Sequence, residues 1–207
     1  MIKHKSRTGA ALMTAGVLLI LIAIGYVAGN LYEEYRAGAL SARALDQLAD
    51  NRSTKAPLEM DATPEPPLYV QNPDMEMPEV KIDGQAYIGE VSIPKIDVKL
   101  PVISQWTYPR LKIAPCRYSG SVYKDDLIIL GHNYESHFRR FTDVETGDEV
   151  IFMDMDGNVF RYEVSLKEQI HEGDTERMLE GEWDLTLFTC ARGGEKRITL
   201  RCRRVEE

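Results

Sequence analysis

Leu185-Thr-Leu-Phe-Thr-Cys190-Ala-Arg-Gly-Gly-Glu-Lys-Arg197-Ile-Thr-Leu-Arg-Cys202 sets two apolar, β-prone runs on either side of Gly193-Gly194. Two consecutive glycines readily supply the positive φ angles of a two-residue hairpin turn. With those glycines at the centre, the expected cross-strand pairs are Arg192 with Glu195, Ala191 with Lys196 and Cys190 with Arg197. Opposed residues share a face of the sheet, with Cβ atoms about 5 Å apart. A thiol thus lies beside a guanidinium, and a neighbouring cation favours the reactive thiolate. Cys202 falls opposite Leu185, and its odd offset from Cys190 turns it to the other face. A Cys190–Cys202 disulfide or shared zinc site is thereby disfavoured, unless a one-residue slip or bulge flips the register.

A cysteine nucleophile needs a proton partner. Of the four histidines, His4 lies in the basic N-terminal tail, and His137 and His171 lie in polar surroundings expected to be loop or short helix. His132 follows Leu127-Ile-Ile-Leu-Gly131, a continuous apolar run typical of a strand buried on both faces. A polar residue ending such a strand is held rigidly at the rim of the sheet. The same region shows short strands punctuated by turn signals: Ile88–Ile93 and Val98–Ile103 around Pro94-Lys95, then Glu149–Met153 and Val159–Val164 around Asp156-Gly157. Many short strands with few long helices predict a mostly β domain closed into a barrel.

Ile88-Gly-Glu-Val-Ser-Ile-Pro-Lys-Ile96, Leu100-Pro-Val102, Ile129-Leu-Gly-His132, the Leu185–Cys190 strand and Arg197 together resemble the ordered signature of sortases, membrane-anchored cysteine transpeptidases of Gram-positive surfaces. The resemblance spans roughly residues 83–205 and implies that His132, Cys190 and Arg197 are the catalytic three. It further implies a closed β-barrel catalytic domain over 83–207 and a Leu-Pro-x-Thr-Gly-like sorting signal cleaved through an enzyme thioester. Expected partners are surface or pilin proteins bearing a C-terminal sorting signal, and an amine acceptor on a cell-wall precursor or pilin. No metal or organic cofactor is expected. A membrane-tethered cysteine peptidase and a non-catalytic surface β-domain are the rival readings.

Residues 10–28 (AALMTAGVLLILIAIGYVA) carry no charge. As a helix they extend about 28 Å, enough to cross a bilayer core. Lys3, Lys5 and Arg7 precede them, while Glu33 and Glu34 follow. The positive-inside bias then predicts a single-pass anchor, with 1–9 cytoplasmic and the rest extracellular. The apolar run is longer than the core of a cleaved secretory signal. The chain is −8 overall although its first nine residues are basic, which argues against nucleic-acid binding. Residues 31–48 read as a short helical stalk. Residues 51–82, with six prolines, read as an extended linker giving reach rather than a lid over the groove. Asp154, Asp156, Gly157 and Asn158 read as a solvated hairpin turn, since the remaining calcium-loop ligands are missing. Arg192, Arg201, Arg203 and Arg204 read as a solvated basic strand end. Cys116 either pairs with Cys202 or stays buried and free, and sequence does not choose.

Overall fold

Strand periodicity in the C-terminal two thirds of the chain resolves into one curved sheet in the computed structural model, which describes residues 7–55, 66–191 and 193–205. The strands are β1 (Val80–Ile82), β2 (Gln85–Ile93), β3 (Val98–Ile103), β4 (Cys116–Ser119), β5 (Leu127–Gly131), β6 (Glu149–Asp154), β7 (Val159–His171), β8 (Leu185–Cys190) and β9 (Lys196–Arg204). Their order is β1-β2-β3-β4-β5-β8-β9-β7-β6, and β2 also pairs with β6. That last pairing closes an eight-stranded barrel and leaves β1 as a flap on β2. The barrel interior holds Val91, Leu127, Ile129, Phe152, Tyr162, Val164, Leu185, Leu187, Leu200 and Cys202. A second apolar cluster lies on the opposite face of β4, β5 and β8, built from Cys116, Ile128, Leu130 and Phe188 with Met178 and Leu111.

Two apolar layers explain the continuous hydrophobic runs. All five residues of β5 are buried, and β8 is buried up to Cys190. The two strands run parallel, in keeping with their lack of polar alternation. Elsewhere alternation is clear: β7 begins exposed-buried-exposed-buried, with Phe160, Tyr162 and Val164 inward. β7 is longer than its sequence suggests. Past a bulge between Val164 and Leu166 it continues to His171 alongside β9.

Helix α1 (Arg7–Lys55) runs unbroken from the apolar segment through the expected stalk. Its N-terminal apolar stretch is not buried by any of the described residues, and it is long and apolar enough to cross a membrane. From the fourth decade on, the helix lies against the barrel. Ala37, Ser41, Ala44 and Leu48 are buried, a seam at the spacing of one helix face. Farther along, Arg52 donates to the buried Glu90 carboxylate at 2.7 Å, and Lys99 pairs with its other oxygen at 2.9 Å.

In the proline-rich stretch 51–82, residues 51–55 continue α1, 56–65 lie outside the described residues, and 66–82 run along the barrel. Short helix α2 (Leu68–Gln71) stacks Tyr69 on Tyr123, with ring centroids 4.9 Å apart, and Met77 is buried in the core. The Asp154 turn is a hairpin, but Asp154 itself is fully buried. Its carboxylate accepts from the backbone N–H groups of Asp156 and Asn158, from the Asn158 amide and from the Tyr123 hydroxyl. Those donors consume the acceptor capacity a cation would need.

Candidate active site

The hairpin register puts Cys190 opposite Arg197 and Leu185 opposite Cys202, as the glycine spacing predicts. The tip differs in detail. Ala191 bonds back to Lys196 through its N–H, and its carbonyl accepts from Gly194 at 3.0 Å. Gly193 and Gly194 both adopt positive φ, at 95° and 81°. Arg192, expected to face Glu195, lies outside the described residues.

Parallel pairing of β5 with β8 matches Gly131 to Thr189. One step further along each strand stand His132 and Cys190. Both therefore share a face with Leu130 and Phe188, themselves directly paired. Gly131 is required by close approach: a Cβ there would enter the Phe138 ring, which packs under the end of β5. Thr189 points inward and is fully buried, on the face strict alternation predicts.

His132, Cys190 and Arg197 line one cavity of about 240 Å³. Its floor is apolar, from Leu111, Leu130, Met178 and Phe188, all buried. One rim is aromatic. Trp106 stacks on Tyr118 at 5.8 Å, and Tyr118 meets Phe188 edge-on at 5.4 Å. The opposite rim is polar, with His171, Glu172, Asp174 and Thr175. Of the proline-rich stretch, residues 66–82 do not line this cavity.

The three side chains are held differently. Arg197 donates through Nη1 to the Gly194 carbonyl at 2.7 Å, and its Nη2 lies 3.6 Å from Glu172. His132 stacks on Tyr134, with centroids 4.6 Å apart, and its buried Nε2 has no partner among the described residues. Burial lowers the His132 pKa below the usual histidine value; Lys112 adds to the lowering and Glu33 opposes it. Cys190 is half-buried, whereas Cys116 and Cys202 are fully buried. Burial pushes the Cys116 thiol up to about 12 and raises Cys202 as well. Cys116 and Cys202 are both free. They occupy β4 and β9, with β5 and β8 between them and on opposite faces of the sheet, far beyond the 7 Å Cα separation a disulfide tolerates.

Two residues depart from their expected surroundings. His137 is fully buried beneath α1, where the Ser41 hydroxyl meets its Nε2 at 3.3 Å. Arg201 is 2 % exposed rather than solvated. Its guanidinium bonds Glu168, Thr186 and the Arg177 and Met178 carbonyls, fastening helix α4 (Thr175–Leu179) over the cavity. The aromatic rim also went unread in the sequence, because its members come from the loop after β3, from β4 and from β8. His171 joins the site because it ends the extended β7. His4 lies outside the described residues.

Comparison with known proteins bears on the family and the fold. A family model described as Sortase domain matches residues 91–205. Sortase A of Bacillus anthracis is 26% identical over 128 residues, covering 58% of this chain and 60% of that protein. The chain thus spans less than two thirds of the length of the curated relative it matches. Among solved structures, sortase A from Corynebacterium diphtheriae superposes with a TM-score of 0.55 at 24% identity, over 59% of this chain and 62% of that one. A structure described as Clostridium perfringens sortase C with the C-terminal cell wall sorting motif gives 0.52 at 19% identity, over 58% and 71%.

Proposed function

The chain belongs to the sortase family, and from that premise we propose that it is a cysteine transpeptidase acting on surface proteins from a membrane anchor. The observation that carries this reading is the convergence of His132, Cys190 and Arg197, from three separate strand ends, on one cavity. The division of labour along the chain is a tail over 1–9, an anchor over 10–28, a stalk and proline-rich passage over 31–82 and a catalytic barrel over 83–207. Lys3, Lys5 and Arg7 keep the tail cytoplasmic and the barrel outside.

Catalysis runs as acyl transfer in two halves. Cys190 attacks the backbone carbonyl of a sorting signal similar to Leu-Pro-x-Thr-Gly, and His132 takes up the thiol proton as the sulfur adds. The resulting imidazolium protonates the departing amine, the C–N bond breaks, and a thioester to Cys190 remains. An incoming amine then attacks the thioester, gives its proton to His132 and expels the cysteine. Burial of His132 favours the neutral imidazole that both proton captures need. Arg197 keeps N–H donors beyond those bound to its own turn, and these stabilise the developing oxyanion or the substrate backbone. The apolar floor and the aromatic rim suit the Leu-Pro portion of such a signal. A sorting motif is bound by a relative of the same fold, and its carriers, together with a wall-precursor or pilin amine, are the partners proposed for this chain.

The test is incubation of the full chain with a fluorogenic Leu-Pro-x-Thr-Gly peptide, with and without an oligoglycine acceptor. A Cys190-linked thioester and a transpeptidation product are expected, and Cys190→Ala should abolish both. Hydrolysis alone, unchanged by acceptor, would favour a peptidase, and full activity in Cys190→Ala would end the mechanism.

A further inference from the structure

The helix that leaves the membrane is more than a tether. Residues 132–139, which carry the histidine out of β5, are gripped between the barrel and α1. On the barrel side Phe138 donates its N–H to the His132 carbonyl at 3.2 Å, and the Phe138 ring fills the space left by Gly131. On the helix side the Glu34 carboxylate accepts from the Glu135 backbone N–H, with Arg139 3.8 Å from its second oxygen. Arg139 in turn reaches Glu135 and the Asn133 carbonyl, so one helix carboxylate anchors the loop immediately after His132. Gly38 faces Ser136 so closely that an added Cβ would come within 3.1 Å of the serine Cβ. One turn further, Ser41 donates to the Ile113 carbonyl at 2.7 Å and meets His137. Glu33 pairs with Lys112 at 2.9 Å. That salt bridge sets two opposite charges, one from α1 and one from the loop after α3 (Tyr108–Leu111), directly beyond Leu111, which lines the cavity.

We propose that Glu33 and Glu34 of α1 are positioning residues for His132, the helix setting both the placement and the charge environment of the catalytic imidazole. The proposal rests on the assignment of His132 as the proton carrier. Groups that face His132 come from every side: Lys112 after α3, Glu33 on α1, Tyr134 and His137 on its own loop, and Cys190, Arg197, His171, Glu172 and Asp174 across the cavity. Within that set Glu33 favours the imidazolium and Lys112 the neutral ring. The pair therefore acts as a local trim on the histidine, and exposure of both partners makes it sensitive to salt. Glu34 acts through geometry. Releasing the Glu135 N–H frees the loop, and a shift of even a fraction of an ångström in a reacting group lowers turnover steeply.

The experiment uses the full chain in lipid nanodiscs, with histidine ring carbons isotopically labelled and the His132 signal assigned through His132→Gln. Glu33→Gln should move the His132 titration midpoint to lower pH, because Lys112 is then unopposed. Glu34→Ala should lower kcat for the sorting-signal peptide on the order of tenfold with KM unchanged. Glu34→Gln, whose amide oxygen still accepts from the Glu135 N–H, should restore most of that loss. A merely structural contact would alter the melting temperature of these variants without moving the titration or splitting kcat from KM. An unmoved His132 midpoint in Glu33→Gln, or wild-type turnover in Glu34→Ala, overturns the proposal. If the wild-type chain leaves the peptide untouched, the transpeptidase reading falls, while the His132 titration still decides the positioning role.

Discussion

Replacing His137 with glutamine should flatten the acid side of this protein's stability curve. His137 is fully buried, its Nε2 lies 3.3 Å from the Ser41 hydroxyl, and its Nδ1 has no partner among the described residues. Burial is the chief cause that holds its pKa at about 4; the charge of His132 adds to the lowering, and the Ile113 carbonyl opposes it. In the unfolded chain the same imidazole titrates near the ordinary value of about 6.5. Between those two values the unfolded state binds the extra proton, so stability rises with pH there. The contribution is complete above pH of about 6.5 and is lost progressively as pH falls to about 4. A span of about 2.5 pH units at about 1.4 kcal/mol each sets a ceiling between about 3 and 4 kcal/mol, of which about 3 kcal/mol is lost by pH 4, where the folded imidazole is half protonated. Urea unfolding of the detergent-solubilised full chain at pH 7 and pH 4, followed by tryptophan fluorescence, measures the loss directly. Wild type should lose about 3 kcal/mol more than His137→Gln over that interval. Equal losses, within about 1 kcal/mol, would refute the assignment of a neutral, desolvated imidazole under α1.

Two further substitutions probe the frame around the cavity. Gly131→Ala drives a methyl group into the Phe138 ring; it should cost about 1–3 kcal/mol by thermal melting. By shifting the end of β5 it should also lower peptide turnover by about tenfold or more. Arg201→Leu leaves Glu168 paired with Arg177 alone and strands the carbonyls of Arg177 and Met178. A loss of about 3 kcal/mol is expected in denaturant titration, together with a raised KM as α4 loosens from the cavity wall.

The parts of the fold most legible in the sequence were those where a single physical rule acts alone. Gly193-Gly194 pins a register, and parity along two strands then separates Cys190 from Cys202 and joins it to Arg197. Leu127–Leu130, apolar at every position, announces a strand with no wet face, so that His132 must stand at its rim. The second half of β7 was obscured because its bulge near Leu166 breaks the alternation, and its polar residues Lys167 and Glu168 belong equally well to a loop. Docking of α1 was hidden for another reason: Ala37, Ser41 and Ala44 carry little hydrophobic signal, and such small side chains matter through close approach. Arg201 illustrates the limit of reading charge as exposure. An arginine on a strand face is buried when a carboxylate, a hydroxyl and two helix-end carbonyls converge on it, and those partners come from three separate elements. The aromatic rim of Trp106, Tyr118 and Phe188 likewise exists only once β4 and β8 flank β5.

A continuous helix also fixes a height. With residues 10–28 placed across the bilayer as proposed, only five residue steps lead from Ala28 to Glu33, about 8 Å of axial rise. Glu33 is already clamped to Lys112 near the cavity, so the proposed anchor and activity together place peptide transfer at the level of the lipid headgroups. A client polypeptide leaving the same bilayer covers that distance in two or three extended residues. Under that proposal, clients whose cleavage point lies farther from their own membrane segment are expected to fold back toward the lipid surface to be processed.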